Sequence, residues 1–305
     1  FLGGGPSGNL EHGIPNPNVW SFGEDKSGKY LYIGTDKGIS RFNRNTGKFE
    51  QYYRSYGTNK NLEAAEITVL SIHVIDANHV LVGCIDGLFE LNITSPYEYS
   101  FREVGGFKDD ETRQRHTRIY TILPYKKDKY FLATKGGVVL IDIKKKTTQV
   151  FEYNPKNPRE SISLGVCRLG IKDNSGRYLF ATSSGGLNVL EEKGEFLKIV
   201  PYRYNSYLTK HTKDYLSSIC QTGKNEYWFG TFGSGLLYWN EKTKESRVYT
   251  KKDGLPNNVI YGVLQDGLTD LWMSTNRGLC RFNRFSGETI NYTEVDGVRG
   301  KTLNF

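Results

Sequence analysis

Methionine is nearly missing from this sequence, which holds one in 305 residues, and long apolar stretches are missing altogether. No run of 18 or more apolar residues occurs, so the sequence predicts no membrane-spanning helix. The four cysteines form no CxxC pair and no other metal-type spacing; they are Cys84, Cys167, Cys220 and Cys280. We therefore expect four separate buried thiols and no metal site.

The motifs of common active sites are missing as well. The five histidines share no spacing of four residues, and neither Gly-x-Ser-x-Gly nor His-Glu-x-x-His occurs. Gly3-x-Gly5-x-x-Gly8 has the letters of a dinucleotide site, but Pro6 and the strand-like residues after it do not begin the helix that such a site needs. We expect no cofactor and no catalytic residue, although a carboxylate pair assembled from distant strands stays open.

Glycine and tyrosine are abundant, with 34 and 21 residues, and both favour strands and tight turns over helices. The net charge is +8, but Lys and Arg are spread over the whole length, and no basic run is long enough to indicate nucleic-acid binding. The chain begins Phe-Leu-Gly-Gly-Gly without a Met or a signal peptide. We therefore expect a processed chain or a fragment of a longer multi-domain protein.

A repeat organises the sequence. Two large apolar residues are followed by a small one and usually by Thr, as in Tyr32-Ile33-Gly34-Thr35, and glycine with an apolar run follows a few residues later. The small residues, which we call the marks, recur every 44 to 50 residues at Gly34, Gly83, Ala133, Ala181, Gly230 and Ser274. Each unit has four short apolar runs divided by turn residues, which predicts a four-stranded antiparallel meander.

Six such units predict an all-β fold, a β-propeller of four-stranded antiparallel blades. A small residue at each mark fits the crowding of the sheets near their common axis. Both chain ends continue the pattern: Phe1–Leu10 aligns with the second and third strands of a unit, with a mark at Gly3, and Asp296–Asn304 aligns with Asp253–Tyr261. We therefore predict one propeller over residues 1–305, with seven blades, one of them shared by the two termini; a window cut from a longer array of units fits the two ends equally well.

The repeat resembles a known family. Trp228-Phe229-Gly230-Thr231, the Gly-Leu pair at Gly235, and Gly254-Leu255-Pro256-Asn257-Asn258 are similar to the two-component regulator propeller repeat. This resemblance implies the extracytoplasmic sensor region of a bacterial hybrid two-component regulator, and hence a periplasmic, non-catalytic domain. It also implies as partners a further propeller or linker domain of the same protein, or a second protomer in a homodimer.

Two connections between units are long and unlike the repeat, Phe107 to Arg118 and Tyr202 to Tyr215. Long loops on a rigid scaffold are where recognition usually occurs, and Tyr rings with Arg donors suit a carbohydrate. The candidate ligand-binding residues are Arg113, Arg115, His116, Arg118, Tyr202, Arg203, Tyr204, Tyr207 and His211. We predict the sensing of a glycan-derived oligosaccharide or another small ligand, and the basic, Tyr-rich inserts favour an acidic oligosaccharide. A protein-binding scaffold and a polysaccharide lyase or glycosidase are the alternatives.

Overall fold

The computed structural model describes residues 13–53, 67–202, 205–209 and 216–298. These residues form 24 strands in six four-stranded antiparallel sheets, and each sheet comes from one continuous part of the sequence, as predicted. We number the sheets blade 1 to blade 6 in chain order. The chain divides into two compact units, residues 1–150 with blades 1 to 3 and residues 151–305 with blades 4 to 6.

The strands of the first unit follow one another in simple meanders. Blade 1 consists of β1 Val19–Glu24, β2 Tyr30–Thr35, β3 Gly38–Asn43 and β4 Lys48–Tyr52. Blade 2 consists of β5 Val69–Asp76, β6 His79–Cys84, β7 Leu88–Ser95 and β8 Glu98–Glu103. Blade 3 follows a short helix, α1 Asp110–Arg115, and consists of β9 Ile119–Pro124, β10 Lys129–Thr134, β11 Gly137–Asp142 and β12 Thr147–Phe151.

The second unit repeats this arrangement. Blade 4 consists of β13 Cys167–Lys172, β14 Tyr178–Thr182, β15 Gly186–Lys193 and β16 Phe196–Pro201, and α2 Asn205–Thr209 follows it. Blade 5 consists of β17 Leu216–Gly223, β18 Glu226–Thr231, β19 Leu236–Asn240 and β20 Glu245–Tyr249. Blade 6 consists of β21 Ile260–Asp266, β22 Asp270–Thr275, β23 Gly278–Asn283 and β24 Thr289–Tyr292.

The marks lie where neighbouring blades approach most closely. A Cβ atom added at Gly34 would lie 2.5 Å from Cγ1 of Val69, the first residue of the next blade. At Gly83 it would lie 2.8 Å from Cγ2 and 2.9 Å from the carbonyl oxygen of Ile119, and at Gly230 it would lie 3.0 Å from Cγ2 of Ile260. These distances leave no room for a side chain, which confirms the predicted reason for small residues at the marks.

Hydroxyl groups beside the marks join one blade to the next. The first strand of each blade shifts its register at its second residue, which in blades 1 and 2 places Ser21 opposite Gly34 and Ser71 opposite Gly83. Ser21 Oγ donates to the carbonyl oxygen of Val69 at 3.2 Å, and Ser71 Oγ donates in the same way to Ile119 at 2.9 Å. The repeat therefore encodes an inter-blade hydrogen bond as well as close packing.

The threonine after the mark stabilises the turn between the second and third strands. Thr275 Oγ1 donates to the carbonyl oxygen of Gly278 at 3.0 Å and accepts the backbone N–H of Arg277 at 3.0 Å. Gly278 has φ of 87°, and a Cβ atom there would meet the carbonyl oxygen of Tyr292. Glycine is thus required by conformation and by space, as the sequence predicts.

The number of blades differs from the prediction. Seven blades are not supported, because the described residues form six sheets. The predicted seventh blade consists of the two termini. These lie outside the described residues, namely residues 1–12, which include the mark at Gly3, and residues 299–305. The single domain over residues 1–305 stays a prediction.

Candidate functional site

The first predicted insert folds around the short helix α1. Asp109 is its N-cap, and its side chain accepts the backbone N–H of Thr112 at 2.7 Å. Acidic residues occupy the first turn and basic residues the last, which complements the helix dipole. The hydrogen bond from the Thr112 backbone holds the pKa of the Asp109 carboxyl below its usual value. The insert is therefore an ordered structure with a defined charge pattern.

A cavity of about 380 Å³ lies at the beginning of this insert. This volume is within the range of about 300–1,000 Å³ that is typical of small-molecule sites. Its lining combines exposed backbone at two glycines with charged side chains of both signs: Glu103, Val104, Gly105, Gly106, Phe107, Lys108, Asp109, Asp110 and Arg113. We call this the insert cavity.

The predicted arginines of the first insert have different surroundings. Arg113 lines the insert cavity and binds Glu103 through two nitrogens, with Nε 3.1 Å and Nη2 2.7 Å from Oε1. Arg115 forms an ion pair with Glu111 at 2.8 Å, one turn away on the same helix, and is not among the lining residues. Arg118 is exposed and follows the helix just before β9. Of these three arginines, Arg113 is the one that lines the cavity.

His116, another of the candidate residues, lies in the interior of this structure. Its side chain is fully buried, its Nδ1 lies 2.6 Å from Thr134 Oγ1, and its ring stacks parallel to Phe107 at 6.3 Å. Because the Thr134 hydroxyl donates to the carbonyl oxygen of Gly137, we assign the proton between His116 and Thr134 to Nδ1. His116 therefore fixes the insert to the turn of blade 3.

The second insert is described only in part. Tyr202 is 5% exposed, and its hydroxyl accepts a hydrogen bond from Trp239 Nε1 at 3.3 Å; burial raises its pKa. Tyr202 is thus a core residue. Tyr207, in α2, is 40% exposed and packs on Trp239 with the ring centres 5.4 Å apart. Arg203, Tyr204 and His211 lie outside the described residues.

The sequence prediction missed several lining residues of the insert cavity, namely Glu103, Lys108, Asp109 and Asp110. The sequence does indicate a short helix here, because the acidic residues Asp109-Asp110-Glu111 are followed by the basic residues Arg113 and Arg115. Glu103 could not be found in this way, because only the fold brings the end of β8 beside α1.

A separate polar cluster lies between blades 4 and 5. Both Arg177 Nη atoms bind the two carboxylate oxygens of Glu241, at 2.9 and 2.7 Å, while Nε binds Asp173 at 2.7 Å. Tyr227 donates its hydroxyl proton to Asp173 at 2.9 Å. We call these four residues the Arg177 cluster. The one guanidinium binds both carboxylates, which indicates a structural link between the two blades.

Among the described residues, no helix has the length and the apolar composition that a membrane span requires. In the same part of the chain, no three His, Cys, Asp or Glu side chains are grouped as a metal site.

A short part of the chain is similar in sequence to a known protein. No family model matches the chain. A 74-residue part is 30% identical to histidine kinase P4 of Formosa agariphila, and this match covers 24% of the chain and 5% of the kinase. The chain therefore corresponds to a small part of that relative's length.

Solved structures show the fold. The extracellular domain of a putative hybrid two-component system from B. thetaiotaomicron has a TM-score of 0.67 at 17% identity, over 95% of this chain and 36% of that one. The Cps50 (Swd1) β-propeller domain of Myceliophteria thermophila has a TM-score of 0.56 at 11% identity, over 90% of this chain and 84% of that one. The chain is thus a β-propeller, similar in fold to the extracellular domain of a hybrid two-component system, as its repeat predicts.

Proposed function

We propose that this propeller is a non-catalytic, ligand-sensing domain of a bacterial two-component signalling protein, on the periplasmic side of the membrane. The similarity in fold to an extracellular domain and the short similarity to a histidine kinase support this proposal. The chain spans about a third of that extracellular domain. We therefore expect a further propeller or linker domain, or a second protomer, to take part in signalling.

The observation that carries the proposal is the insert cavity. It lies on a connection between rigid blades, and such connections can vary without disturbing the sheets beneath them. Close packing explains the small residues at the marks, and turn geometry explains the glycines and threonines after them. The insert cavity, by contrast, combines backbone groups, acids and bases in a concave surface. A recognition role accounts for this combination.

The charges of the insert cavity favour a neutral oligosaccharide over an acidic one. Arg113 is already neutralised by Glu103, and Lys108 lines the cavity together with the acids Asp109 and Asp110. Carboxylates accept hydrogen bonds from sugar hydroxyls, and Arg and Lys donate to hydroxyl oxygens, so the paired charges suit a ligand rich in hydroxyls. A strongly anionic ligand would have to displace Glu103 from Arg113.

Calorimetry against neutral and sulfated mono-, di- and oligosaccharides tests this function. We expect a neutral oligosaccharide to bind, and Arg113→Ala to weaken its affinity roughly 10-fold or more, because a hydrogen bond to a charged group is lost. Arg115→Ala is the matched control, since Arg115 lies on the same helix with its own carboxylate partner and does not line the cavity. The Arg115→Ala variant should bind the oligosaccharide with the affinity of the natural chain.

Two outcomes would contradict the proposal. An equal loss in both variants would place the site outside the insert cavity, and preferential binding of sulfated sugars would refute the neutral ligand. Release of reducing ends from a polysaccharide incubated with the protein would instead identify a glycosidase or lyase.

A further inference from the structure

One end of blade 3 is strongly basic. The turn between β9 and β10 lies beside the turn between β11 and β12, because the carbonyl oxygen of Asp128 accepts the backbone N–H of Ile143 at 2.9 Å. In and beside these turns lie six lysines: Lys126, Lys127, Lys129, Lys144, Lys145 and Lys146. We call them the lysine patch. Neither run of lysines is long in the sequence, and the fold joins the two runs into one surface.

The lysine patch concentrates positive charge. Two aspartates, Asp128 and Asp142, accompany the six lysines, which leaves a net charge of +4 here out of +8 for the whole chain. Asp142 is 8% exposed, and its Oδ1 accepts the backbone N–H of Lys145 at 2.8 Å. Within the part of the chain that the structure describes, five of the lysines form no ion pair, namely Lys127, Lys129, Lys144, Lys145 and Lys146. Half of the net charge is therefore gathered at one end of one blade.

The other blades show that the fold does not require these lysines. The corresponding turns of blade 2 hold Asp76 and Glu98 and no lysine. In blades 1 and 6 the position of Lys146 is occupied by Gly47 and Gly287, with φ of 68° and 78°. Lys146 has φ of 54°, in the left-handed region that favours glycine. The turn geometry therefore explains a glycine at this position and does not explain a lysine.

Lys244 of blade 5 occupies the same position for a structural reason. Its φ is 63°, and its Nζ donates to the carbonyl oxygen of Glu241 and lies 5.9 Å from the ring centre of Trp239. In the described part of the chain, Lys146 makes no side-chain contact of either kind, and it is exposed. Lys146 therefore contributes its charge and not its packing.

The chemistry of the lysine patch favours an anionic surface over a bound polymer chain. Lysine is a hydrated point charge on a flexible stem, so it attracts phosphate groups without requiring a fixed geometry. Neither turn contains an arginine, whose planar fork recognises single phosphate or carboxylate groups. Single-stranded nucleic acids stack on aromatic rings, but Tyr125, at the first turn, is covered. Lys126 Nζ lies 4.5 Å from its ring centre, and the centre of the Phe131 ring lies 4.9 Å away.

We infer that the lysine patch binds the surface of an anionic lipid bilayer, through the phosphates of the lipid headgroups. Each lysine near such a surface strengthens binding about fivefold. The six lysines together therefore give an attraction that is strong at low salt and is screened as the salt concentration rises. This interaction goes beyond the proposed sensing function, because none of the six lysines lines the insert cavity.

Sedimentation with lipid vesicles tests this inference. We expect the natural chain to bind vesicles of phosphatidylglycerol and phosphatidylcholine in equal parts, and not vesicles of phosphatidylcholine alone. K144Q/K145Q/K146Q should weaken binding to the anionic vesicles roughly 100-fold, because three favourable charges are lost. K26Q/K156Q/K224Q is the matched control, since it removes the same charge from exposed lysines of other turns and loops. This control should bind like the natural chain.

Lys146→Gly separates the charge of Lys146 from any structural role. Because glycine adopts the left-handed conformation without strain, this variant should keep the Tm of the natural chain or raise it. Its binding to the anionic vesicles should weaken about fivefold. A lower Tm with unchanged binding would show that Lys146 serves the turn and would contradict the inference.

Other results would also overturn the inference. No binding to the anionic vesicles, or an equal loss in the two triple variants, would show that the lysine patch is merely a solvated surface. Tighter binding to duplex DNA or to dextran sulfate than to the anionic vesicles, at the same salt concentration, would identify a soluble polyanion as the partner instead.

Discussion

At the scale of single residues, the mark glycines control how closely blades pack. Gly83→Ala places a methyl group against Ser71 Oγ and about 2.8 Å from Ile119 Cγ2. We expect a loss of about 1–3 kcal/mol in unfolding free energy, as for other overpacked sites. Urea denaturation measures it. Gly105→Ala is the control, because nothing lies within 4 Å of a Cβ there; similar stability of the two variants would contradict the close approach.

His116 provides a second test at this scale. Its ring is fully buried between Phe107 and Thr134. His116→Ala removes both the packing and the hydrogen bond, so we expect a loss of roughly 2–4 kcal/mol in unfolding free energy. Thermal denaturation would detect this as a lower Tm, whereas Arg118→Ala at the exposed neighbouring position should change little. A His116→Ala variant as stable as the natural chain would contradict this structural role.

Side chains that obey the repeat could be predicted, and side chains of the inserts could not. Glycine at position 278 belongs to a turn that recurs six times in the sequence, and this recurrence predicts its backbone conformation. The burial of His116 depends on a loop folding onto blade 3, and no periodic pattern reports such a contact. Arg113 and Arg115 look alike in sequence, and only the position of Glu103 separates them.

At the scale of elements, the Arg177 cluster links two blades. Arg177→Ala leaves the carboxylates of Asp173 and Glu241 without their cation. Breaking a buried ion pair costs about 3–5 kcal/mol, and because the guanidinium is 31% exposed we expect a smaller loss, roughly 2–3 kcal/mol. Urea denaturation measures this loss, with Arg159→Ala, at an exposed position of the same unit, as the control. Equal stability of the two variants would contradict the link.

The same cluster predicts a pH dependence. Burial acts to raise the pKa of Asp173, but hydrogen bonds from Arg177 and Tyr227 outweigh it and hold the pKa below the usual 3.8. A carboxyl with a lowered folded-state pKa stabilises the fold above its unfolded pKa, and this stability disappears as the pH falls through the folded-state pKa. The difference in stability between the natural chain and Asp173→Asn should therefore be full at pH 7 and shrink below about pH 3.8. A difference independent of pH would contradict this assignment.

Strands and helices were predictable to different degrees. The meanders follow from alternating apolar runs and turn residues, and all six appear at the predicted places. The helix α1 has only six residues, fewer than two turns, so its sequence shows no apolar periodicity that would predict it. It is recognisable by its cap and charges alone.

At the scale of the whole molecule, the repeat predicts a propeller but not its number of blades. Six complete units have marks at even spacing, and these six sheets are present. The prediction of a seventh blade depended on two partial units. A partial unit does not contain all four strands of a meander, so it predicts a blade less specifically than a complete unit does. Ligand identity is equally absent from the repeat, because its recurrent residues are explained by packing and turn geometry.

Buried thiols make the single-propeller prediction testable. Cys84 lies in the first compact unit, and Cys167 and Cys280 lie in the second. Burial raises the pKa of both Cys167 and Cys280 to about 12, so alkylation requires that their blades open. Neighbouring blades of a repeat protein stabilise one another, so Cys167 and Cys280 should react at the same urea concentration. A single propeller requires that Cys84 react there too, as measured by iodoacetamide labelling and mass spectrometry, and a separate midpoint for Cys84 would show two independent domains.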